Sequence, residues 1–278
     1  MSLHVDHYRT ADSGAPLLLI HGWGMHGGMW RSVAEQLAQH FNVYAVDLPG
    51  HGFSTLVKGE EGREKGQAPV PPFPLPPYPF SLDSIVEQLS AQFVRPLTVC
   101  GWSLGGQVAL GWALRHPQQV ERLVMVASTP CFVRLPDWKY ALSVEILEEF
   151  AVNLQQNYTL TLKRFLSLQM RGSEQEREVL AILRDGLFSR GQPDLDALQA
   201  GLDILRSSDQ RAALSGLQQD TLVLAGERDT LIPQQATQYL ADKVPHGRLV
   251  TIKGAAHAPF LSHPDEFIEH LVNFINEK

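Results

Sequence analysis

An α/β fold, with a mostly parallel sheet flanked by helices and an inserted helical cap, is predicted by three observations. Short apolar runs of strand character alternate with helix-patterned stretches over residues 16–127 and again from 222 onward. At 98–114 an apolar run rich in β-formers passes through a glycine-bounded turn directly into a helix-favouring run. From roughly 130 to 208 strand signals vanish, and four helical segments take their place, at 144–156, 160–170, 174–188 and 194–207. The expected division is a core of 1–129 and 209–278, carrying a proline-rich insertion at 57–80, with the cap inserted at 130–208. A chain of 278 residues is long enough to bury the large core this requires.

Pro16-Leu17-Leu18-Leu19-Ile20 is a continuous apolar run and reads as a strand buried on both faces. It opens into the glycine-rich loop His21-Gly22-Trp23-Gly24-Met25-His26-Gly27-Gly28. A helix follows in which Val33, Leu37 and Ala38 share a face. The second strand, Val43-Tyr44-Ala45-Val46-Asp47, ends in Leu48-Pro49-Gly50-His51-Gly52-Phe53-Ser54. Residues 58–65 are charged, and prolines recur at 69, 71, 72, 74, 76, 77 and 79, which favours exposed polyproline II rather than packed structure. A helix over 81–93 leads to the strand at 98–102, and Arg122-Leu123-Val124-Met125-Val126-Ala127 is a further buried strand. Leu222-Val223-Leu224-Ala225-Gly226 resumes the sheet and Leu249-Val250-Thr251-Ile252 ends it, with helices at 234–243 and 265–276.

Composition excludes several classes. The net charge of -7 opposes general nucleic-acid binding, which needs a basic surface. Two cysteines, Cys100 and Cys131, make no disulfide framework. The first residues lack a basic stretch followed by an apolar one, and no apolar run approaches a membrane span, so a cytoplasmic protein without membrane contact is expected. A monomer is expected. Cysteine and histidine form no ligand cluster and the glycine loops lack phosphate-binding spacing, so neither metal nor cofactor is expected.

Gly101-Trp102-Ser103-Leu104-Gly105 matches Gly-x-Ser-x-Gly between a strand and a helix. That turn lifts a serine hydroxyl clear of the backbone at a helix N-terminus, where negative charge is favoured. A serine needs a base to take its proton. His257 follows the last strand among small neighbours, in Gly254-Ala255-Ala256-His257-Ala258-Pro259-Phe260, and is the base by position. His21 and His51 sit in tight glycine loops and read as backbone supports, while His263 and His270 fall in or beside the last helix. The acid that orients the imidazole should follow the penultimate strand, where Asp229 and its competitor Glu227 both lie; Asp229 stands just before the turn closed by Pro233. Asp47 also follows a strand and reads as a turn cap. An oxyanion hole needs two N–H groups, from Leu104 after the nucleophile and from Trp23 in the first glycine loop. Trp23 and Trp102 also read as plain core aromatics, a reading that leaves the main-chain role of Trp23 intact.

Over nearly the whole chain these residues resemble the α/β-hydrolase superfamily, whose order is serine, acid, histidine. Within it the chain resembles the pimeloyl-acyl-carrier-protein methyl ester esterases of biotin synthesis. The likeness rests on His21-Gly22-Trp23-Gly24, Val46-Asp47-Leu48-Pro49-Gly50, Gly101-Trp102-Ser103-Leu104-Gly105-Gly106, Ala127-Ser128-Thr129-Pro130-Cys131-Phe132 and the stretch from Ala255 to Pro264. In the cap it rests on Arg164-Phe165-Leu166-Ser167-Leu168-Gln169. The insertion at 57–80 departs from the compact family pattern. The resemblance implies an α/β-hydrolase fold, a Ser103–Asp229–His257 triad, and substrate contacts at Trp23, Ser103, Leu104, Phe165, Leu166, Ser167, Leu168, Gln169 and His257. It also implies a partner, the acyl-carrier protein bearing the pimeloyl methyl ester.

At 100° per residue Lys163, Arg164, Ser167 and Arg171 share one helix face, with Leu162, Phe165 and Gln169 opposite. No acidic residue interrupts 158–171 in this acidic chain. By itself this is a solvated basic face; beside the resemblance, Lys163, Arg164 and Arg171 become a docking patch for an acidic carrier. A broad short-chain carboxylesterase is the alternative within enzymes, and a non-catalytic ligand-binding protein on the same fold is the alternative outside them.

Overall fold

The computed structural model describes residues 3–10, 14–55 and 80–277. The insertion expected at 57–80 lies outside the described residues except for Phe80, which is buried. Seven described strands form one sheet: β1 (Val5–Tyr8), β2 (Pro16–Ile20), β3 (Asn42–Val46), β4 (Leu97–Trp102), β5 (Val120–Val126), β6 (Asp220–Gly226) and β7 (Gly247–Ile252). Their order is β1-β3-β2-β4-β5-β6-β7, parallel throughout except for β1, which runs antiparallel to β3. β4 is wholly buried near the middle of the sheet, which explains why it reads as a continuous apolar run. Helices α1 (Arg31–Leu37), α2 (Leu82–Gln92) and α3 (Leu104–Arg115) link the first strands. A capping box between Ser81 and Ser84 starts α2.

Between β5 and β6 come α4 (Val144–Met170), α5 (Glu176–Gly186) and α6 (Leu195–Ser207), with α5 and α6 each packed on α4. The two helices expected at 144–156 and 160–170 are one element bent at Asn157, whose φ and ψ of −156° and 82° are not helical. Its side chain accepts the Leu160 N–H at 3.0 Å, so Asn157 caps the second arm, and the local polar side chain wins over a straight helix. Helices α7 (Gln234–Lys243), α8 (Pro259–Ser262) and α9 (Pro264–Asn276) complete the chain. No helix among the described residues is long and apolar enough to cross a membrane.

The β1 strand has no counterpart in the sequence reading. Four residues with Asp6 and His7 among them carry too weak an apolar alternation to read as a strand, and β1 holds its place by pairing with β3. His21 and His51 do support backbone. His21 donates through Nδ1 to the Gly22 carbonyl at 2.8 Å and accepts the Leu48 N–H at 2.9 Å, joining the loops after β2 and β3. His51 donates through Nδ1 to the Pro49 carbonyl at 3.0 Å, and its Nε2 is buried with no hydrogen-bond partner among the described residues.

Burial therefore keeps both imidazoles neutral, lowering His21 well below the usual range and His51 to about 4. The contribution of His51 to stability is complete above pH ~6.5, where the unfolded imidazole is also neutral, and is lost as the pH falls towards 4. For His51 alone the loss approaches roughly 3 kcal/mol. Thermal unfolding midpoints should therefore fall between pH 7 and pH 4.5, and His51→Gln should lose less over that range; parallel falls in both proteins would contradict the assignment.

Candidate active site

The ends of β2, β4, β6 and β7 converge at the C-terminal edge of the parallel sheet, where α/β proteins place their sites. Ser103 stands between β4 and α3 with φ 55° and ψ −117°, a strained conformation for a residue with a Cβ. The turn is tight enough to demand glycine on both sides. A Cβ on Gly101 would lie 2.1 Å from the Gly105 carbonyl oxygen, and one on Gly105 would lie 2.4 Å from that of Ile20. Ser103 is also held from below: its N–H donates to Val126 at 2.9 Å and its carbonyl accepts the Ser128 hydroxyl at 2.7 Å.

From this turn the serine hydroxyl donates to His257 Nε2 at 3.0 Å, and His257 Nδ1–H donates to Asp229 Oδ2 at 2.8 Å. The carboxylate on one side and the hydroxyl on the other define this tautomer. The His257 residue is fully buried, between Ala255, Ala256 and Ala258 on its own loop. Asp229 is fixed by the turn before α7, its Oδ1 accepting the N–H groups of Leu231 at 2.8 Å and Ile232 at 3.0 Å. Glu227, two residues earlier, points elsewhere and accepts the Gly254 N–H at 3.0 Å. Of the two carboxylates, Asp229 is the one hydrogen-bonded to the His257 ring. Asp47 serves as a turn support, accepting the N–H groups of Gly27 at 2.6 Å and Phe53 at 2.8 Å.

Leu104 is the first residue of α3, so its N–H belongs to the group with no acceptor inside the helix. The Trp23 loop lies directly against the nucleophile turn, since a Cβ on Gly22 would stand 3.3 Å from Ser103 Cβ. The Trp23 side chain is buried; its Nε1–H donates to the Leu198 carbonyl of α6 at 2.8 Å, and its ring meets Phe165 edge-on at 4.9 Å. Phe165 meets Phe150 edge-on at 5.5 Å across the bend of α4. Phe165, Leu166 and Gln169 are buried, and the Gln169 carbonyl accepts the His257 N–H at 3.2 Å. The Leu168 carbonyl accepts the Thr230 hydroxyl at 3.4 Å. Ser167 belongs to the other face, donating to the Lys163 carbonyl at 3.1 Å and accepting from Arg184 at 3.4 Å. Lys163 and Arg164 are exposed on α4, Arg171 is exposed as the residue just past its end, and Arg184 of α5 meets this stretch at Ser167 from a separate helix. No local pattern in the sequence marks Arg184 as their neighbour.

A strained serine on a strand–helix turn, joined to a buried histidine and carboxylate from later strand ends, defines a serine hydrolase architecture. The chain belongs to the alpha/beta hydrolase family, whose model matches residues 17–270. It is 43% identical to the pimeloyl-[acyl-carrier protein] methyl ester esterase of Nitrosomonas europaea, over 94% of this chain and 96% of that one. Proteins of the same name from Nitrosospira multiformis and Xylella fastidiosa are 37% and 41% identical, over 99% and 94% of this chain and 98% and 95% of theirs. Among solved structures, an esterase from Exiguobacterium antarcticum superposes with a TM-score of 0.82 at 19% identity, covering 99% of this chain and 96% of that one. The enol-lactonase of Burkholderia xenovorans gives 0.79 at 22%, with coverage of 99% and 96%. These two share the fold.

Asp229 and Glu227 separate in a direct comparison. Asp229→Asn should lower kcat on a small ester by about 10⁴-fold while leaving the fold intact. Glu227→Gln, which keeps an acceptor for the Gly254 N–H, should stay close to the parent rate. Equal losses in the two variants would contradict the reading.

Proposed function

We propose that this chain is a serine carboxylesterase that hydrolyses the methyl ester of pimeloyl-acyl-carrier protein, giving pimeloyl-acyl-carrier protein and methanol. The observation that carries the reading is whole-length likeness to relatives sharing that one activity, in a chain whose Ser103, His257 and Asp229 form one hydrogen-bonded line. In this reading Ser103 Oγ attacks the ester carbonyl as His257 Nε2 takes its proton. The N–H groups of Leu104 and Trp23 hold the oxyanion, and Asp229 stabilises the imidazolium. Imidazolium returns the proton to the departing methoxide, which leaves as methanol. Water, deprotonated by His257, then attacks the acyl-enzyme and releases the free carboxylate with Ser103 restored. The burial of Ser103 and His257 supports a site closed to bulk water.

We assign α4, α5 and α6, within 130–208, the role of a cap over this site, and the core to 1–129 and 209–278. Phe165, Leu166, Leu168 and Gln169 then line the acyl path with Trp23, while Ser167 faces the outer side with Lys163 and Arg184. Lys163 and Arg164, exposed on the same helix, and Arg171, exposed just past its end, receive the acidic carrier. Opposite charge there offsets the net charge of -7 and steers encounter. The enzyme acts as a cytoplasmic monomer, and the reaction draws on no metal or cofactor.

Turnover of the carrier-bound methyl ester beside p-nitrophenyl acetate tests both halves. Ser103→Ala should lose several orders of magnitude on both substrates. Reversing charge at Lys163, Arg164 and Arg171 together should raise KM for the carrier-bound ester by about tenfold or more and spare the small ester. Retained turnover in Ser103→Ala would overturn the chemistry, and equal effects of charge reversal on both substrates would overturn the docking.

A further inference from the structure

Trp102, the residue before Ser103, has no part in the steps above, yet its fully buried side chain touches two pieces of the site and its backbone joins a third. Its indole Nε1–H donates to the main-chain carbonyl of His257 at 2.7 Å, and the two rings lie 6.0 Å apart. Its six-membered ring lies against the first glycine loop, since a Cβ on Gly22 would stand 3.3 Å from Trp102 Cε3. Through the backbone it is joined to Ser103 itself. The ring is in turn fixed by Phe260, edge-on at 5.1 Å, which packs 4.0 Å from Trp30.

The loop that carries His257 needs such a tether. Its neighbours Ala255, Ala256 and Ala258 are fully buried and small enough to let the imidazole reach Ser103, so hydrogen bonds to the main chain, rather than interlocking side chains, fix the loop. The peptide groups of His257 are held from opposite sides. Its N–H donates to Gln169 on the inserted helix at 3.2 Å, and its carbonyl accepts from Trp102 on the nucleophile strand. The second bond comes from the residue adjacent to the nucleophile, so it fixes base and nucleophile in one frame. Catalysis is sensitive to such placement, because an error near 1 Å can cost about a hundredfold in rate.

We propose that Trp102 is a positioning residue: its indole N–H sets His257 at hydrogen-bonding distance from Ser103, with the ring holding the Gly22 loop against both. The proposal rests on the assignment of Ser103 and His257 as nucleophile and base. It predicts that the N–H, and not only the aromatic bulk, is required.

Two variants separate these contributions. Trp102→Phe keeps an aromatic ring, and replacement of Trp102 by β-(3-benzothienyl)alanine keeps the bicyclic shape while putting sulfur where the N–H stood. With p-nitrophenyl acetate, both should lower kcat by about ten- to hundredfold and leave KM within about twofold. The kcat/KM–pH profile should depart from the parent's, because a displaced imidazole no longer meets Ser103 and Asp229 together. The low-field NMR signal of the His257 Nδ1 proton should shift or broaden. If Trp102→Phe fails to fold, the benzothienyl protein decides. Parental kcat, pH profile and NMR signal in that protein would overturn the proposal, as would a KM rise with an unmoved signal. Ser103→Ala separates the two levels: an active Ser103→Ala sinks the underlying assignment, whereas an inactive one beside a parental benzothienyl protein sinks only the role of Trp102.

Discussion

The hydrogen bond from Ser103 to His257 is the constraint on which the rest of this structure depends. It joins residues 154 positions apart in the chain at 3.0 Å, inside a region closed to solvent. Neither partner reaches the other by local geometry. The serine must be raised on a strained turn at the end of β4, and the histidine must descend from the loop after β7. A parallel sheet meets both demands, because it delivers every strand end to the same edge. The third member, Asp229, arrives from the intervening edge position after β6 with its second oxygen already committed to two backbone N–H groups. A carboxylate held that firmly presents one oxygen to the imidazole and thereby sets the tautomer that leaves Nε2 free to accept.

The inserted helices are bound to that edge at several places rather than resting on it. Arg190, in the α5–α6 connection, donates to both oxygens of the buried Asp47 at 3.2 Å and pairs with Asp6 of β1. Asp47 in turn accepts the Gly27 N–H, so this arginine is linked to the loop that carries Trp23. His26 from the same loop donates to the Gly186 carbonyl at the end of α5 at 2.8 Å. At the far side Arg228, just before Asp229, donates to Glu174 at 2.8 Å, and the Glu174 N–H donates to Gly254 at 3.1 Å. The arrangement couples the helix bearing Phe165 and Gln169 to the loops bearing Asp229 and His257. Removing one partner of the Arg190–Asp47 pair would leave a charge in a poorly solvated place, a far larger penalty than loss of an exposed ion pair.

Much of the fold was legible because its signals are local. Buried parallel strands read as unbroken apolar runs, and Leu17 to Ile20 and Val99 to Trp102 are buried without exception. The hydrogen-bonded line of Ser103, His257 and Asp229 was legible for a different reason: each follows a strand, and a parallel sheet brings such positions together. What stayed hidden is carried by contacts distant in sequence. β1 exists through its pairing with β3, the bend in α4 turns on one asparagine side chain, and Arg190 finds Asp47 from 143 positions away. Trp102 is the instructive case. Its place in the Gly-x-Ser-x-Gly turn was plain, but the partner of its indole N–H lies 155 residues downstream.

The central claim is that Ser103 is a nucleophile because His257 is bonded to it. Incubation with a p-nitrophenyl alkylphosphonate, followed by proteolysis and mass spectrometry, tests that claim without reference to substrate identity. The account predicts a single adduct per chain, located on Ser103, with labelling lost in His257→Ala. An adduct on another residue, or undiminished labelling of Ser103 in His257→Ala, would contradict it.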